Sequence, residues 1–390
     1  MIRTASLFSQ LLEHFPKVEF AKLVEEYDAE RHCKGFRCWT QFVSMLFCHV
    51  GHADSLREIC NGLTSCMGKM VHLGISKAPN KSTLSYANEH RPAELYEELF
   101  WRTLERFRGS GMIGNGKRKF RFKNRLLTLD TSVITLCASM FPWAKYQRIK
   151  GGVKLHVLMD NADYMPVFMS ITDANTYDTR KVYLLKLAPG SIVVMDKAYT
   201  EHSILGRWTE EGVFFVTRMR DNTLYEIVSK RDVPRNGNIL SDEVILLTGK
   251  GAIDKCPFCL RRIVVWDSEH NREFVFLTNN FDFAASTISN IYRQRWQIEV
   301  FFKTLKQNLK IKTFVGTSEN AVRIQIWTAL IALLLLKWLH FLSKARWSLS
   351  NLTALLRLNL FTYRSLLEWL NDPLNTPPLI PEFEQLRLPM

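Results

Sequence analysis

The 390-residue sequence is short of acid, of long apolar runs and of ordered cysteine patterns. It carries 38 Asp and Glu against 52 Lys and Arg, a formal net charge of +14. That imbalance argues for a polyanionic partner, nucleic acid first, although ribosomal and membrane-surface proteins share it. The longest apolar run, Ile326 to Leu336, is broken only by Thr328 and has eleven residues. A bilayer needs about 20, so the run reads as a buried helix and no membrane partner is expected. The first residues, MIRTASLFSQLLEHF, mix polar with apolar positions, which excludes a signal-peptide pattern. The eight cysteines are scattered, mostly in apolar runs, and fit free buried thiols in a reducing compartment. Cys256-Pro-Phe-Cys259 has no second CxxC, and His270 is its only nearby extra ligand. A turn around Pro257 therefore accounts for it better than zinc.

The chain divides by pattern into four parts. Residues 1–112 read as a helical domain, with Leu7, Leu11, Leu12 and Phe15 at helical spacing. Within it, HADSLREICNGL and NKSTLSYANEHR form two short helical units around a glycine-bearing connection. Asn80, Ser82 or Thr83 would cap the second unit. Its polar positions Lys81, Ser82, Ser85, Tyr86, Asn88 and Arg91 suit either a helix-turn-helix reading DNA or an ordinary capped surface helix. Residues 113–125 are a glycine-rich basic linker. Lys117, Arg118, Lys119, Arg121, Lys123 and Arg125 alternate there with Phe120 and Phe122, as in a phosphate-tracking arm or a charge-protected edge strand.

Residues 126–345 read as a mixed α/β domain. Strand-like runs end at Asp130, Asp160, Asp173 and Asp196, and Gly212–Arg218 forms a fifth strand. Helical stretches are expected at Asp178 to about Leu187 and Ser203 to Glu210. From about 219 to 280 the chain shows strands without helical period, an all-β insertion. The stretch Ile291 to Lys310 reads as one helix, with strong formers and no Gly or Pro. At about 100° per residue, Tyr292, Arg295, Glu299 and Lys306 fall on a narrow stripe. Residues 346–390 form a tail whose five prolines imply an extended end, with dimerisation as one use.

Carboxylates at strand ends and on a facing helix suit a divalent cation site. Asp130, Asp160, Asp163, Asp173, Asp178, Asp196 and Glu299 are candidates, and spacing alone does not choose among them. Asp163 suits a turn and Asp178 a helix cap. Asp130 and Asp196 each close a short hydrophobic strand, where an unpaired acid would be costly. The Glu299 stripe also has a plain reading as solvated helix pairs with Lys303 and Lys306. Lys154 and His156 share a strand face near these acids, where a structural histidine is the simpler reading.

Tyr292-(2)-Arg295-(3)-Glu299-(6)-Lys306 resembles the Y-(2)-R-(3)-E-(6)-K signature of IS4-type insertion-sequence transposases, a group of DDE enzymes. LLTLDTSVI and VVMDKAY resemble that family's first and second aspartate segments, and the likeness extends over nearly the whole chain. The resemblance implies an RNase H-like catalytic core, interrupted by a β-rich insertion and preceded by an all-helical domain. By family pattern Asp130, Asp196 and Glu299 would hold Mg²⁺, with Mn²⁺ able to substitute. Tyr292, Arg295 and Lys306 would contact DNA phosphate, with Lys81, Ser82, Lys117, Arg118, Lys119 and Arg121 as further DNA contacts. The implied activity is cleavage at terminal inverted repeats and strand transfer into target DNA. A homodimer would act on paired ends, in the bacterial cytoplasm at the nucleoid. The alternative is a DNA-binding descendant that is inactive or only a nuclease. In relatives an aromatic residue of the insertion can stack on a flipped base, and Trp266 stands as a candidate for that or for a core strand position.

Overall fold

The computed structural model describes residues 5–66, 70–114, 119–144, 150–234, 237–309, 311, 313–345 and 347–378. It comprises two compact units: Met1–Ile113 with Lys303–Met390, and Gly114–Phe302. Lys117 and Arg118, expected to touch DNA, lie outside the described residues, as does the end of the proline-bearing tail.

The helical unit opens with α1 (Leu7–Leu12), α2 (Lys17–Glu26), α3 (Cys38–Val50), α4 (Leu56–Ser65), α5 (Lys81–His90) and α6 (Glu94–Gly109). Ser55 caps α4 by accepting from the Glu58 N–H, while Glu58 accepts from the Asp54 N–H, a reciprocal capping box. Asn80 occupies the N-cap position of α5 without a side-chain cap bond. Lys81, Ser82, Ser85 and Tyr86 face outward on α5. Asn88 and Arg91 do not. Asn88 is buried and accepts from Gln41 at 2.8 Å, and Arg91 donates to the Gln41 side chain and the Phe36 carbonyl. These two polar residues stitch helices together, because a buried amide or guanidinium needs partners.

The second unit is a three-layer α/β body. Its strands are β1 (Leu126–Cys137), β2 (Lys150–Asp160), β3 (Met165–Asp173), β4 (Ile192–Met195), β5 (Phe214–Arg218), β6 (Tyr225–Lys230), β7 (Ile239–Leu247), β8 (Leu260–Asp267) and β9 (Arg272–Thr278). Its helices are α7 (Asp178–Val182), α8 (His202–Glu210), α9 (Ala252–Lys255), α10 (Ala285–Arg293) and α11 (Trp296–Lys303). All nine strands form one sheet, in the order β3-β2-β1-β4-β5-β9-β8-β7-β6. Strands β1, β4 and β5 run parallel, and the other pairings are antiparallel. The strands of the expected all-β insertion join this sheet. Its last strand pairs with β5, Val216 opposite Thr278, so it extends the sheet, and among the described residues it carries one short helix, α9.

Alternation along the strands sorts the two faces. Leu127, Leu129, Val193, Met195 and Phe215 pack with Ile204, Leu205 and Trp208 of α8. Leu126, Ile192, Val194 and Val216 pack with Ile288 and Ile291 of α10 on the other face. The basic stretch contributes here: Phe120 stacks on Phe122 and Phe122 on Phe283, each at 4.9 Å, with Lys119 and Arg121 exposed. Its aromatic residues are packed against this core face, where burying two rings outweighs leaving them to stack on bases.

Three local expectations differ from the structure. β1 runs on to Cys137, so Asp130 lies within a strand rather than at its end; antiparallel β2 keeps pairing with β1 beyond it. α7 stops at Val182, and its N-cap is Tyr177 rather than Asp178. The single helix over Ile291–Lys310 is instead α10, a break at Gln294 and Arg295, α11, and a π-helical turn at Thr304–Asn308. No Gly or Pro causes the break. Gln294 is buried and accepts from Lys119 at 3.1 Å, and Arg295 is held by carboxylates, so tertiary bonds override strong helix formers.

The helical unit closes with α12 (Glu319–Leu342), α13 (Leu349–Asn359) and α14 (Leu366–Asn371). The eleven-residue apolar run sits inside the 24-residue α12, which is long and apolar enough to cross a membrane by length and composition; 89% of its apolar 18-residue segment is buried in the fold. α12 packs on α3, α5, α6 and α13, as a helix apolar on all sides must. The C-terminal tail holds two helices, α13 and α14, ahead of its prolines. The eight cysteines are free thiols, and Cys38, Cys48, Cys60, Cys66 and Cys256 are buried.

A buried histidine gives this unit a pH dependence. His49 Nδ1 meets the Leu309 carbonyl at 3.1 Å and Nε2 meets Thr328 Oγ1 at 3.0 Å. Burial lowers its pKa to about 4 from 6.5. A depressed folded pKa contributes stability that is complete above pH 6.5 and is lost as pH falls toward 4. Between pH 7 and pH 5 the expected loss from His49 is about 2 kcal/mol. The urea midpoint of the helical signal should fall accordingly, and less steeply in His49→Gln; equal slopes for the two proteins would show that His49 does not titrate with unfolding.

Candidate active site

Strand register brings the first two acids together. Leu129 pairs with Met195 across parallel β1 and β4, so the next residues, Asp130 and Asp196, stand side by side. Val194 pairs with Val216 across β4 and β5, which continues to Arg218 beside Asp196. Alternation turns Asp130 and Asp196 away from the Leu129–Met195 face, toward the α10 side. That is the side from which Arg295 and Glu299 arrive.

Arg295 joins the set. Its Nη2 donates to Glu299 Oε1 at 2.5 Å and its Nη1 to Asp130 Oδ2 at 3.4 Å. Asp130 Oδ1 also accepts from the Thr131 N–H at 2.8 Å. Asp196 caps the turn Lys197–Tyr199 by accepting from the Ala198 N–H at 3.1 Å, and its Oδ2 accepts from Arg218 Nη2 at 3.2 Å. Burial pushes the Asp130 carboxyl up to about 6; Thr131 and Arg295 pull it down, and Asp196 and Glu299 push it further up. Burial works hardest against charge on Arg295, yet Tyr292, Glu299 and Asp130 together raise its pKa. Three acids and two guanidiniums therefore share one partly buried patch. Carboxylate oxygens on one such patch are the donors a hard divalent cation takes, although the ligand atoms of Asp130, Asp196 and Glu299 do not all lie within 4.8 Å of one another.

Tyr292 does not point outward with Arg295. Its ring packs on Phe276 at 5.0 Å and supports the Arg295 guanidinium 5.8 Å from the ring centroid, and burial raises its pKa. Lys306 lies in the π-helical turn, beyond the end of the α/β unit. Beside Asp196, a pocket of about 580 Å³ is lined by Lys197, Ala198, Arg220, Asp221 and Asn222. Arg220 donates to the Lys197 and Ala198 carbonyls, and Lys197 pairs with Asp221 at 3.4 Å.

The other acids serve the fold. Asp160, opposite Leu127 and so toward the other end of β1, pairs with Arg125 at 2.8 Å and accepts from the Ala162 N–H. Asp163 accepts from the Met165 N–H, and Asp173 from the Asn175 N–H, both as turn acids. His156 is buried and bonded to Thr172 at 2.9 Å, and Lys154 donates to the Thr176 carbonyl. Cys256 is buried and ends α9, while Cys259 and His270 flank opposite ends of β8, which removes the zinc reading. Trp266 is on β8, 36% exposed and opposite Glu273. Sequence reasoning missed Arg218 and Tyr199. The one available signal for Arg218 was its place at the end of GVFFVTR, one strand over from VVMD.

A family model described as Transposase DDE domain matches residues 121–335, and one described as Domain of unknown function (DUF4372) matches residues 3–76. The chain is 33% identical over 235 residues to a probable transposase for insertion sequence element IS5377 from Geobacillus stearothermophilus, covering 60% of this chain and 62% of that protein. It is also 33% identical over 270 residues to putative transposase y4zB of Sinorhizobium fredii, covering 67% of this chain and 71% of that protein. A solved piggyBac transposase synaptic complex with hairpin DNA aligns with 96% of this chain and 81% of its own at 12% identity and a TM-score of 0.41. With a DDE match over more than half its length and insertion-sequence transposases among its relatives, the chain belongs to the transposase DDE family.

Proposed function

We propose that this protein is a DNA transposase of the IS4 type in which Asp130, Asp196 and Glu299 hold Mg²⁺, with Mn²⁺ able to substitute. The observation that carries the reading is the register of β1 and β4, which sets Asp130 beside Asp196, joined to Glu299 through Arg295. The order β3-β2-β1-β4-β5, with its last three strands parallel, supports an RNase H-like core. A bound divalent ion would activate water or a DNA 3′-hydroxyl and stabilise the leaving oxygen. Arg295 and Arg218 hold the carboxylates in place and offer guanidinium donors for phosphate. Tyr292 acts through Arg295, and Lys306, Lys81 and Ser82 on α5, Lys117, Arg118, Lys119 and Arg121 are proposed as further DNA contacts. The substrate would be double-stranded DNA with terminal inverted repeats, cut and joined to target DNA by a homodimer on paired ends, at the bacterial nucleoid.

The test is a cleavage assay on a duplex carrying the element end. Wild type should nick at the boundary only with Mg²⁺ or Mn²⁺, and Asp196→Ala should not. DNA binding without cutting by wild type in either metal would instead identify a silenced descendant. Cutting without strand-transfer products would identify a nuclease.

A further inference from the structure

The geometry points to Tyr199 and Thr131 as positioning residues that set the spacing of Asp130 and Asp196, and so the affinity of the metal site; this rests on the function proposed above. Tyr199 is 1% exposed, and its hydroxyl lies 2.9 Å from Thr131 Oγ1. Thr131 is the residue whose backbone N–H holds Asp130 Oδ1. Tyr199 closes the 3₁₀ turn that begins at Asp196 and that Asp196 caps through the Ala198 N–H. Its own N–H also donates to the Asp196 carbonyl. One side-chain bond therefore bridges the two short segments that carry the acids, one residue from Asp130 and three from Asp196.

The need for such a bridge follows from the sheet. The β1–β4 pairing ends at Leu129 and Met195, one residue before the acids. From there β1 continues along β2, while the chain after β4 turns off into the 3₁₀ turn. No backbone pair of that ladder spans Asp130 and Asp196. The buried Tyr199 ring packs in the core with Leu129 and Met195, which makes it a rigid post for its hydroxyl. Outer partners that orient metal ligands typically contribute 10- to 100-fold to metal affinity.

The experiment is Mn²⁺ titration of the full chain, read by paramagnetic resonance of free Mn²⁺, for wild type, Tyr199→Phe, Thr131→Val and Thr131→Ser. A non-cleavable duplex measured in EDTA serves as the control for DNA affinity. Tyr199→Phe and Thr131→Val should each weaken Mn²⁺ binding about 10- to 100-fold. Thr131→Ser, which keeps the hydroxyl, should restore it, and DNA affinity in EDTA should stay within about twofold of wild type. Folded Tyr199→Phe and Thr131→Val proteins with wild-type Mn²⁺ affinity would overturn the assignment, as would loss of folding by both, which would make the bond structural. Asp196→Ala is titrated alongside. If wild type itself shows no Mn²⁺ binding that Asp196→Ala removes, the proposed metal site fails, which is a different result from failure of the Tyr199–Thr131 bridge.

Discussion

Glu299→Gln is expected to lower metal-dependent cleavage at least about 10³-fold while leaving the fold and DNA binding in place. A metal ion supplies several kcal/mol of transition-state charge stabilisation, and each 1.4 kcal/mol is tenfold in rate. Glutamine keeps the length and one oxygen but loses the charge that holds the ion. The fold should tolerate it because the Glu299 side chain is 36% exposed and its partner is Arg295, four residues earlier. Arg295 keeps its second partner in Asp130. The measurements are cleavage rate, Mn²⁺ titration and melting temperature. A variant that melts far below wild type would make Glu299 a structural residue, and one that cuts at the wild-type rate would remove it from the site.

The second large effect concerns stability. Arg261→Met should destabilise the α/β unit by about 3–5 kcal/mol, because it leaves the buried Asp242 carboxylate without its main partner. Arg261 and Asp242 are 2% and 4% exposed in their side chains, paired by Nε–Oδ1 at 2.8 Å and Nη2–Oδ2 at 2.6 Å. Arg231 lies 3.9 Å from the same carboxylate, too far for a hydrogen bond that would replace them. Arg261 also donates to the Asn280 and Phe283 carbonyls, just ahead of α10. The same side chain therefore ties the inserted strands to the helix that leads to Arg295. A melting shift of about 10 °C is the expected reading for a unit this size. The double variant Arg261→Met with Asp242→Leu should recover most of it, since two apolar groups leave no orphaned charge. If the single variant melts with wild type, the buried pair contributes nothing net.

Much of the site was legible because it is carried by local pattern. The runs LLTLD and VVMD are apolar and end in an acid, but so do the runs ending at Asp160 and Asp173; the resemblance of these segments, and of the Tyr292–Lys306 spacing, to a family signature is what singled out Asp130, Asp196 and Glu299 for the proposed site. What pattern did not carry was anything set by pairing between distant segments. Arg218 meets Asp196 only because β5 runs beside β4, and Tyr199 meets Thr131 only because β4 runs beside β1. Asn88 and Arg91 looked like surface polar residues because their partners, Gln41 and the Phe36 carbonyl, are about fifty residues away in sequence.

The sequence by itself determined the periodicities: which stretches are helix or strand, which face of each is apolar, and which acids follow apolar strands. These depend on residues within a few positions of one another, where side-chain spacing and backbone preference act directly. The tertiary structure alone decided that the β-rich insertion extends the core sheet, that the helix bearing Glu299 breaks at Arg295, and that two arginines pair with three acids. Each of these is a balance of burial against charge and hydrogen bonding among groups brought together from far along the chain. Helix propensity favours an unbroken helix through Gln294 and Arg295, and the Lys119 bond to Gln294 and the Asp130 carboxylate within β1 that meets Arg295 are what that propensity does not contain.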